Sequence, residues 1–124
     1  MQKKILILTG LFGILAVALG AFAAHGLHDF LEKNEVLKTF ETAVRYHFYH
    51  TFALFGVGIL LFKIESKLLY WAGKLFALGI ILFSGSLYAL CFTGIKPLGI
   101  ITPFGGLAFI IAWFLVAWSV YKSE

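Results

Sequence analysis

The chain is poor in charged residues, proline and cysteine. Of its 124 residues, 13% are charged, two are proline and one is cysteine. A lone cysteine, Cys91, excludes an intrachain disulfide, and its apolar setting predicts an inert packing residue. Soluble domains carry roughly 25% charged residues. Here hydrophobic residues make up 61% of the chain, and its mean hydropathy is +0.97. A soluble fold of this size cannot bury so much apolar surface, so most of it must face lipid.

The charge that is present argues against a nucleic-acid partner. The net charge is +4, from ten Lys and Arg against six Asp and Glu. The basic residues are spread along the chain and form no patch that would follow a phosphate backbone. In a membrane protein, such residues mark loops close to anionic headgroups. The lipid bilayer is therefore the predicted partner.

The apolar runs predict an all-α integral membrane protein, one domain over residues 1–124 with four transmembrane helices. Residues 5–24 carry no charge, and twenty helical residues span about 30 Å, one bilayer core. A secretory signal peptide is the rival interpretation, but this run is longer than the usual signal core. The other spans are predicted at about 46–62, 75–93 and 103–121.

Signals at the span ends support these bounds. Tyr70 and Trp71 precede the third span, where aromatic residues favour headgroup depth. Thr102 and Pro103 predict the start of the fourth, as an N-cap followed by proline at the first helical position. An amphipathic helical segment at about 34–46 is predicted to run unbroken into the second span.

The distribution of basic residues predicts cytoplasmic termini. Four spans place both termini on one side, together with the loop between the second and third spans. That side carries six lysines and the other side four basic residues, and the excess favours the cytoplasm. The six are Lys3, Lys4, Lys63, Lys67, Lys74 and Lys122, and the four are Lys33, Lys38, Arg45 and Lys96.

Small residues are predicted to let the helices pack closely, because lipid supplies no hydrophobic drive between them. Such residues recur every four positions in the first and third spans, and a glycine pair opens the fourth. They are Ala16, Gly20 and Ala24; Gly85 and Ala89; and Gly105 and Gly106. Packing within one bundle is favoured, while a homo-oligomer or another protein partner stays open.

The stretch Phe40–His50 is the strongest candidate for a functional site, with an acid, an arginine, two tyrosines and two histidines. Glu41 and Arg45 are spaced i,i+4 with the acid first, the favourable order for an ion pair. On an interfacial helix, that exposed pair is worth little. If both face the mouth of the bundle, they are functional candidates. Tyr46 and His50 lie about 40° apart around the helix and can share a polar site.

A metal site is the weaker interpretation of the histidines. His47 and His50 are spaced i,i+3, and chelation needs a further ligand, for which His25 at the end of the first span is a source. Because this spacing arises often by chance, a polar anchor at a helix contact is favoured over metal ligation by His25, His47 and His50. Haem ligation has no support beyond the histidines, and no cofactor is implied.

Catalytic and transport patterns are missing from the predicted spans. They hold no Ser-His-Asp order, phosphate-binding glycine loop or carboxylate pair, so an enzyme is not favoured. They also hold no Asp or Glu, which proton and ion relays usually employ. Ser84 and Ser86 of the third span are expected to bond back to the preceding turn. A transporter or channel would require an oligomer.

Four motifs, in order, resemble a family of small bacterial inner-membrane proteins of unknown function. The resemblance covers nearly the whole chain, and the mammalian transmembrane protein 256 looks like a distant member. It implies a four-helix protein of the bacterial inner (cytoplasmic) membrane with no assigned activity. The motifs are Gly20–Leu27, Phe40–Tyr46 with Tyr49 and His50, Gly85–Tyr88, and Ile101–Gly106 with Trp113.

The resemblance adds His25 to the candidate cluster. It weakens the case for His47 as a metal ligand, because many members look to have glutamine at that position. Residues 32–36 lack the Ser-Pro helix start of similar proteins, so Asn34 is the expected cap. We therefore expect a polar cluster at one membrane face, between the first two helices. Its members are His25, Glu41, Arg45, Tyr46 and His50.

The predicted function is that of a non-enzymatic membrane protein with a structural or partner-binding role. In this interpretation the polar cluster holds helices together. The alternative is that the cluster binds a small anionic ligand, a lipid headgroup, a metal or a cofactor. A transporter or channel is less favoured than either.

Overall fold

The computed structural model describes residues 2–123, and over this range it is helical with no strand. A 3₁₀ turn, Lys96–Ile100, precedes the last helix. The helices in these residues are α1 Gln2–Ala24, α2 His28–Lys33, α3 Leu37–Leu60, α4 Lys67–Thr93 and α5 Thr102–Lys122.

Three segments are long and apolar enough to cross a membrane, where the sequence predicted four. They are α1, α4 and Lys96–Lys122, which joins the 3₁₀ turn to α5. The remaining long helix, α3, has 24 residues. Its first fourteen residues, Leu37–His50, carry an arginine, two tyrosines and two histidines, and these polar residues lower its hydropathy below that of the other three.

Each long helix packs against the long helix that follows it in the chain. α3 lies on α1, α4 on α3, and α5 on α4. Gly20 near the end of α1 lies against Val44 near the start of α3, and Gly58 near the end of α3 lies against Leu6 near the start of α1. The two helices are therefore antiparallel and in contact over most of their length.

The contact between α4 and α5 is the closest in the bundle. A β-carbon added at Gly105 of α5 would lie 2.8 Å from the α-carbon of Phe83 on α4. One added at Gly79 of α4 would lie 2.5 Å from the ring of Phe109 on α5. The backbone of Phe83 thus lies directly on Gly105, and the ring of Phe109 fills the space opposite Gly79, as small residues at membrane helix contacts allow.

The glycines predicted to pack helices do not all do so. A β-carbon at Gly20 would meet Val44 at 3.3 Å, and one at Gly106 would only reach ordinary contact with Phe83, at 3.9 Å. Gly85 differs from the prediction, because nothing lies within 4 Å of the added atom. Its neighbours Ser84 and Ser86 face α3 and α5 respectively, so Gly85 between them points to the outer side of α4.

The helix ends also differ from the prediction in two places. Asn34 does not start α3, but closes α2 through its side-chain amide, which donates to the Phe30 carbonyl at 2.8 Å. α3 begins at Leu37, after Glu35 in the left-handed region with φ 58°. Thr102 does not cap α5 through its side chain, and its hydroxyl lies 2.6 Å from that of Ser86.

A matched pair of glycine variants tests the closeness of the α4–α5 contact. Gly105→Ala should destabilise the protein by about 1–3 kcal/mol, the usual effect of overpacking, because backbone atoms of Phe83 cannot move aside. Gly85→Ala should be neutral or stabilising by up to about 1 kcal/mol, because alanine favours a helix more than glycine does. Thermal unfolding of both variants in detergent measures the difference, and equal melting temperatures would contradict the packing described.

Candidate functional site

His50 lies on the inner face of α3, where α3 meets α5. Its ring is 6% exposed and stacks on Phe109 of α5, with centroids 3.5 Å apart and planes inclined by 5°. Nδ1 lies 2.8 Å from the backbone carbonyl of Tyr46, one helical turn earlier. The indole Nε1 of Trp113 donates to Nε2 at 3.2 Å. Both ring nitrogens therefore have partners.

These partners define the protonation of His50. An indole N–H can only donate, so Nε2 must offer a lone pair. A backbone carbonyl can only accept, so Nδ1 must carry the hydrogen. The ring is therefore inferred to be neutral, in its Nδ1–H tautomer. A metal could bind His50 only by displacing the hydrogen bond to Trp113 or to Tyr46.

His47 connects α3 to α4. Its Nδ1 lies 2.8 Å from the hydroxyl of Tyr88, and the residue is 2% exposed. Its backbone carbonyl also accepts a hydrogen bond of 2.7 Å from the hydroxyl of Thr51. Among residues 2–123, Nε2 of the ring has no hydrogen-bond partner. The Phe12 ring of α1 forms a T-shaped pair with the imidazole, with centroids 5.9 Å apart, and Nε2 is buried.

Two serines of α4 extend the hydrogen bonding across the bundle. Ser84 donates to the backbone carbonyl of Ala43 on α3 at 2.7 Å, rather than to the preceding turn as expected. Ser86 does bond back, to the Phe83 carbonyl at 2.9 Å. Its oxygen also lies 2.6 Å from the hydroxyl of Thr102 on α5. We call His47, His50, Tyr88, Trp113, Ser84 and Ser86 the inner polar layer.

The histidines of the inner polar layer lie deep in the bundle. Thr51, the residue after His50, is the nearest neighbour on α3 to Gly13 of α1. Gly13 lies close to the middle of the uncharged run 5–24 of α1. The sequence placed the candidate cluster at one membrane face, but helical periodicity gives only the direction of a side chain around the axis. In the structure, His50 lies level with the middle of α1.

Glu41 and Arg45 lie apart from the inner polar layer, exposed near the α2 end of α3. No ion pair joins them in the described part of the chain, because the Arg45 guanidinium turns to donate to the Thr42 hydroxyl at 3.2 Å. Together with Gly20, Ala23 and Val44, they line a cavity of about 250 Å³ between α1 and α3.

His25 is not brought to His50. It is exposed in the turn after α1. Because Gly20 lies against Val44, His25 is level with about residue 39 of α3, roughly 16 Å along the axis from His50 at 1.5 Å per residue. Within residues 2–123, no three His, Cys, Asp or Glu side chains gather as metal ligands.

Tyr46 lies on α3 between the exposed Arg45 and the inner polar layer. It is 38% exposed, and its ring stacks on Phe83 of α4 with centroids 4.6 Å apart. Its backbone carbonyl, rather than its hydroxyl, bonds His50. The five residues predicted as one cluster are therefore separate in the structure. His50 is buried, and Glu41 and Arg45 are exposed. Tyr46 contacts His50 through its backbone carbonyl, and His25 lies far from the others.

Sequence reasoning did not identify Tyr88 and Trp113 as the partners of the histidines. Both occur in the motifs that carry the family resemblance, but no role followed from it. A signal was present, because the polar group of a Tyr or Trp within an apolar helix usually requires a hydrogen-bond partner. Which residue supplies that partner depends on the relative heights of the helices, which periodicity does not give.

Comparisons with known proteins give a consistent result. A family model described as a protein of unknown function (DUF423) matches residues 19–106. The UPF0382 membrane protein YwdK of Bacillus subtilis is 45% identical over 122 residues, covering 98% of each chain. A UPF0382 membrane protein of Haemophilus influenzae is 40% identical, covering 100% of this chain and 98% of the relative. The UPF0382 inner membrane protein YgdD of Escherichia coli is 36% identical, covering 93% and 87% respectively. No solved structure matches.

The arrangement around His50 makes a spectroscopic prediction. In protein with ¹⁵N-labelled histidine, His50 should show a protonated Nδ1 and an unprotonated Nε2 that accepts a hydrogen bond. Trp113→Phe should shift the Nε2 resonance and cost about 0.6 kcal/mol of stability, the average for such bonds between membrane helices. Trp118→Phe on the same helix is the matched control and should change neither. A protonated Nε2 in the unaltered protein would refute the assignment.

Proposed function

This chain belongs to the DUF423 family of membrane proteins of unknown function, and from that premise we propose a structural, non-enzymatic role within the bilayer. In this proposal the protein is a multi-pass bundle that stays folded in lipid and presents its outer surface to lipid or to a protein partner. The inner polar layer holds α3, α4 and α5 together. It does not perform chemistry.

The observation that carries this proposal is the pairing of the buried polar groups with one another. Both nitrogens of His50 have partners within the bundle. Ser84 bonds the backbone of α3, and the Tyr88 hydroxyl bonds His47. A catalytic or ligand site needs polar groups that converge on a space where a reacting atom can sit. Nε2 of His47 is itself buried, and the Phe12 ring packs against the imidazole.

We also propose that α3 crosses the membrane as a fourth span, close to the predicted 46–62 and preceded by its amphipathic start. A helix of 24 residues is about 36 Å long, enough for a bilayer core. It lies alongside α1 from Gly20 down to Leu6. Its histidines are buried against other helices and not exposed to lipid, which offsets its lower hydropathy. Polar groups in spans favour such inward positions.

Cytoplasmic termini complete the proposal. Lys63 and Lys67 line a cavity of about 830 Å³ that Gln2 of α1 also borders. Lys67 and Lys122 border a neighbouring cavity. The lysines near the start of α1, the α3–α4 turn and the end of α5 thus lie on one face, and an excess of lysine favours the cytoplasmic side. The Escherichia coli relative is named an inner membrane protein.

Cysteine labelling in membrane vesicles tests the fourth span. With Cys91→Ala as background, a cysteine at Glu35 and another at Glu65 should react on opposite sides of the membrane, because α3 separates them. A cysteine at Ser123 should react on the same side as that at Glu65. If Glu35 and Glu65 variants are labelled from the same side, α3 does not cross and the topology is wrong.

Paired histidine variants test the structural role. His50→Ala should lower stability by about 1–3 kcal/mol, because it removes two hydrogen bonds and a ring stacked on Phe109. His25→Ala should change it by less than about 0.5 kcal/mol, because the residue is exposed. Melting temperatures in detergent measure both. A His50→Ala protein that melts normally, yet loses a metal or chromophore found in the unaltered protein by elemental analysis or absorbance, would overturn the proposal.

A further inference from the structure

An open cavity of about 250 Å³ lies between α1 and α3 near the α2 end of the bundle. Gly20 and Ala23 form its α1 side, and Val44 its α3 side. Glu41 and Arg45 border it on α3. We call these five residues the α1–α3 notch. Its position is distinct from the inner polar layer, which lies where α3 meets α4 and α5.

The notch carries two opposite charges that do not neutralise each other. Glu41 and Arg45 are one helical turn apart, yet no ion pair joins them within residues 2–123. Arg45 donates to the Thr42 hydroxyl at 3.2 Å, which uses one of the five N–H donors of a guanidinium. Most of the donors of Arg45, and the carboxylate of Glu41, therefore remain directed to a group outside this chain or to solvent.

The depth of these charges favours a lipid headgroup as that group. Since Gly20 lies against Val44, Glu41 is level with Ala23 and Arg45 with Leu19, within the last turns of the uncharged run of α1. Charges at this depth extend toward the headgroup region and need a partner there.

We propose that the α1–α3 notch binds one phospholipid whose headgroup carries both a phosphate and a primary amine. Arg45 holds the phosphate, for which its planar guanidinium is suited. Glu41 accepts hydrogen bonds from the ammonium group. The two positions are about 6 Å apart along the helix axis, comparable to the separation of phosphate and amine in such a headgroup. Gly20, Ala23 and Val44, which lie level with the two charges, form the apolar surface against which the headgroup packs. This site goes beyond the structural role proposed above.

The same charges select against other lipids. A headgroup with a phosphate and no amine leaves the carboxylate of Glu41 beside a second negative charge, which disfavours binding. A second copy of the chain could instead exchange Glu41–Arg45 contacts about a twofold axis. That arrangement would have to seat a helix of about 10 Å diameter on the cavity, and the cavity offers room for a headgroup and the first methylenes only.

Native mass spectrometry of the full-length protein in detergent tests the proposal. The protein is incubated with equal amounts of phosphatidylethanolamine and phosphatidylglycerol, and bound lipid is counted per polypeptide. One phosphatidylethanolamine should be retained with about tenfold preference, the effect of about 1.4 kcal/mol. Arg45→Gln should lose binding of both lipids. Glu41→Gln should lose the preference while it still retains phospholipid. Lys38→Gln, an exposed charge of α3 outside the notch, is the matched control and should behave as the unaltered protein.

Several outcomes would overturn the proposal. Equal retention of the two lipids by the unaltered protein would do so, as would an unchanged preference in Glu41→Gln. A dimer that carries no lipid, and that becomes monomeric in Arg45→Gln, would assign the notch to a second copy of the chain. Because both side chains are exposed, the variants should keep the melting temperature of the unaltered protein, so lost binding can be attributed to the notch.

Discussion

The structure depends on the requirement that polar groups inside a lipid-facing bundle find partners within the protein. No water is present in the bilayer core to satisfy them. α3 carries two histidines near its middle, and each is bonded to a different neighbouring helix: His47 to Tyr88 of α4 and His50 to Trp113 of α5. Ser84 adds a bond from α4 to the backbone of α3. These bonds relate three helices to one another, and apolar packing alone would specify their relative positions less strongly.

The three most apolar helices and the proline at the start of α5 could be predicted from the sequence. The positions and hydrogen-bond partners of the polar residues could not be predicted in this way. Periodicity shows which residues share a side of a helix, as Tyr46 and His50 do, but says nothing of the height at which a neighbouring helix lies. The sequence therefore grouped His50 with His25, whereas in the structure His50 lies level with the middle of α1 and His25 beyond its end. The same limit applies to glycine, because Gly85 and Gly105 look alike in sequence and only Gly105 meets a neighbouring backbone.

The two ends of the bundle differ in their charge. The end with the termini carries lysines around broad cavities, with Glu65 the acid beside them. The other end mixes acids and bases on α2 and on the start of α3. A basic surface attracts anionic headgroups in general, whereas paired opposite charges can distinguish one headgroup from another. The two proposals above therefore assign recognition of a particular lipid to the second end and orientation in the membrane to the first.

The packing of α1 mainly on α3 has a consequence for assembly. If helices enter the bilayer in chain order and then associate, α1 arrives without a partner. Its run 5–24 carries no charge and is long enough to cross lipid without polar partners. α3 arrives next, but Tyr88 and Trp113, the partners of its histidines, are still to be synthesised. If α3 crosses the membrane as proposed, its histidines have no partners until α4 and α5 follow. The second long helix to be synthesised would then be the last to reach its final environment.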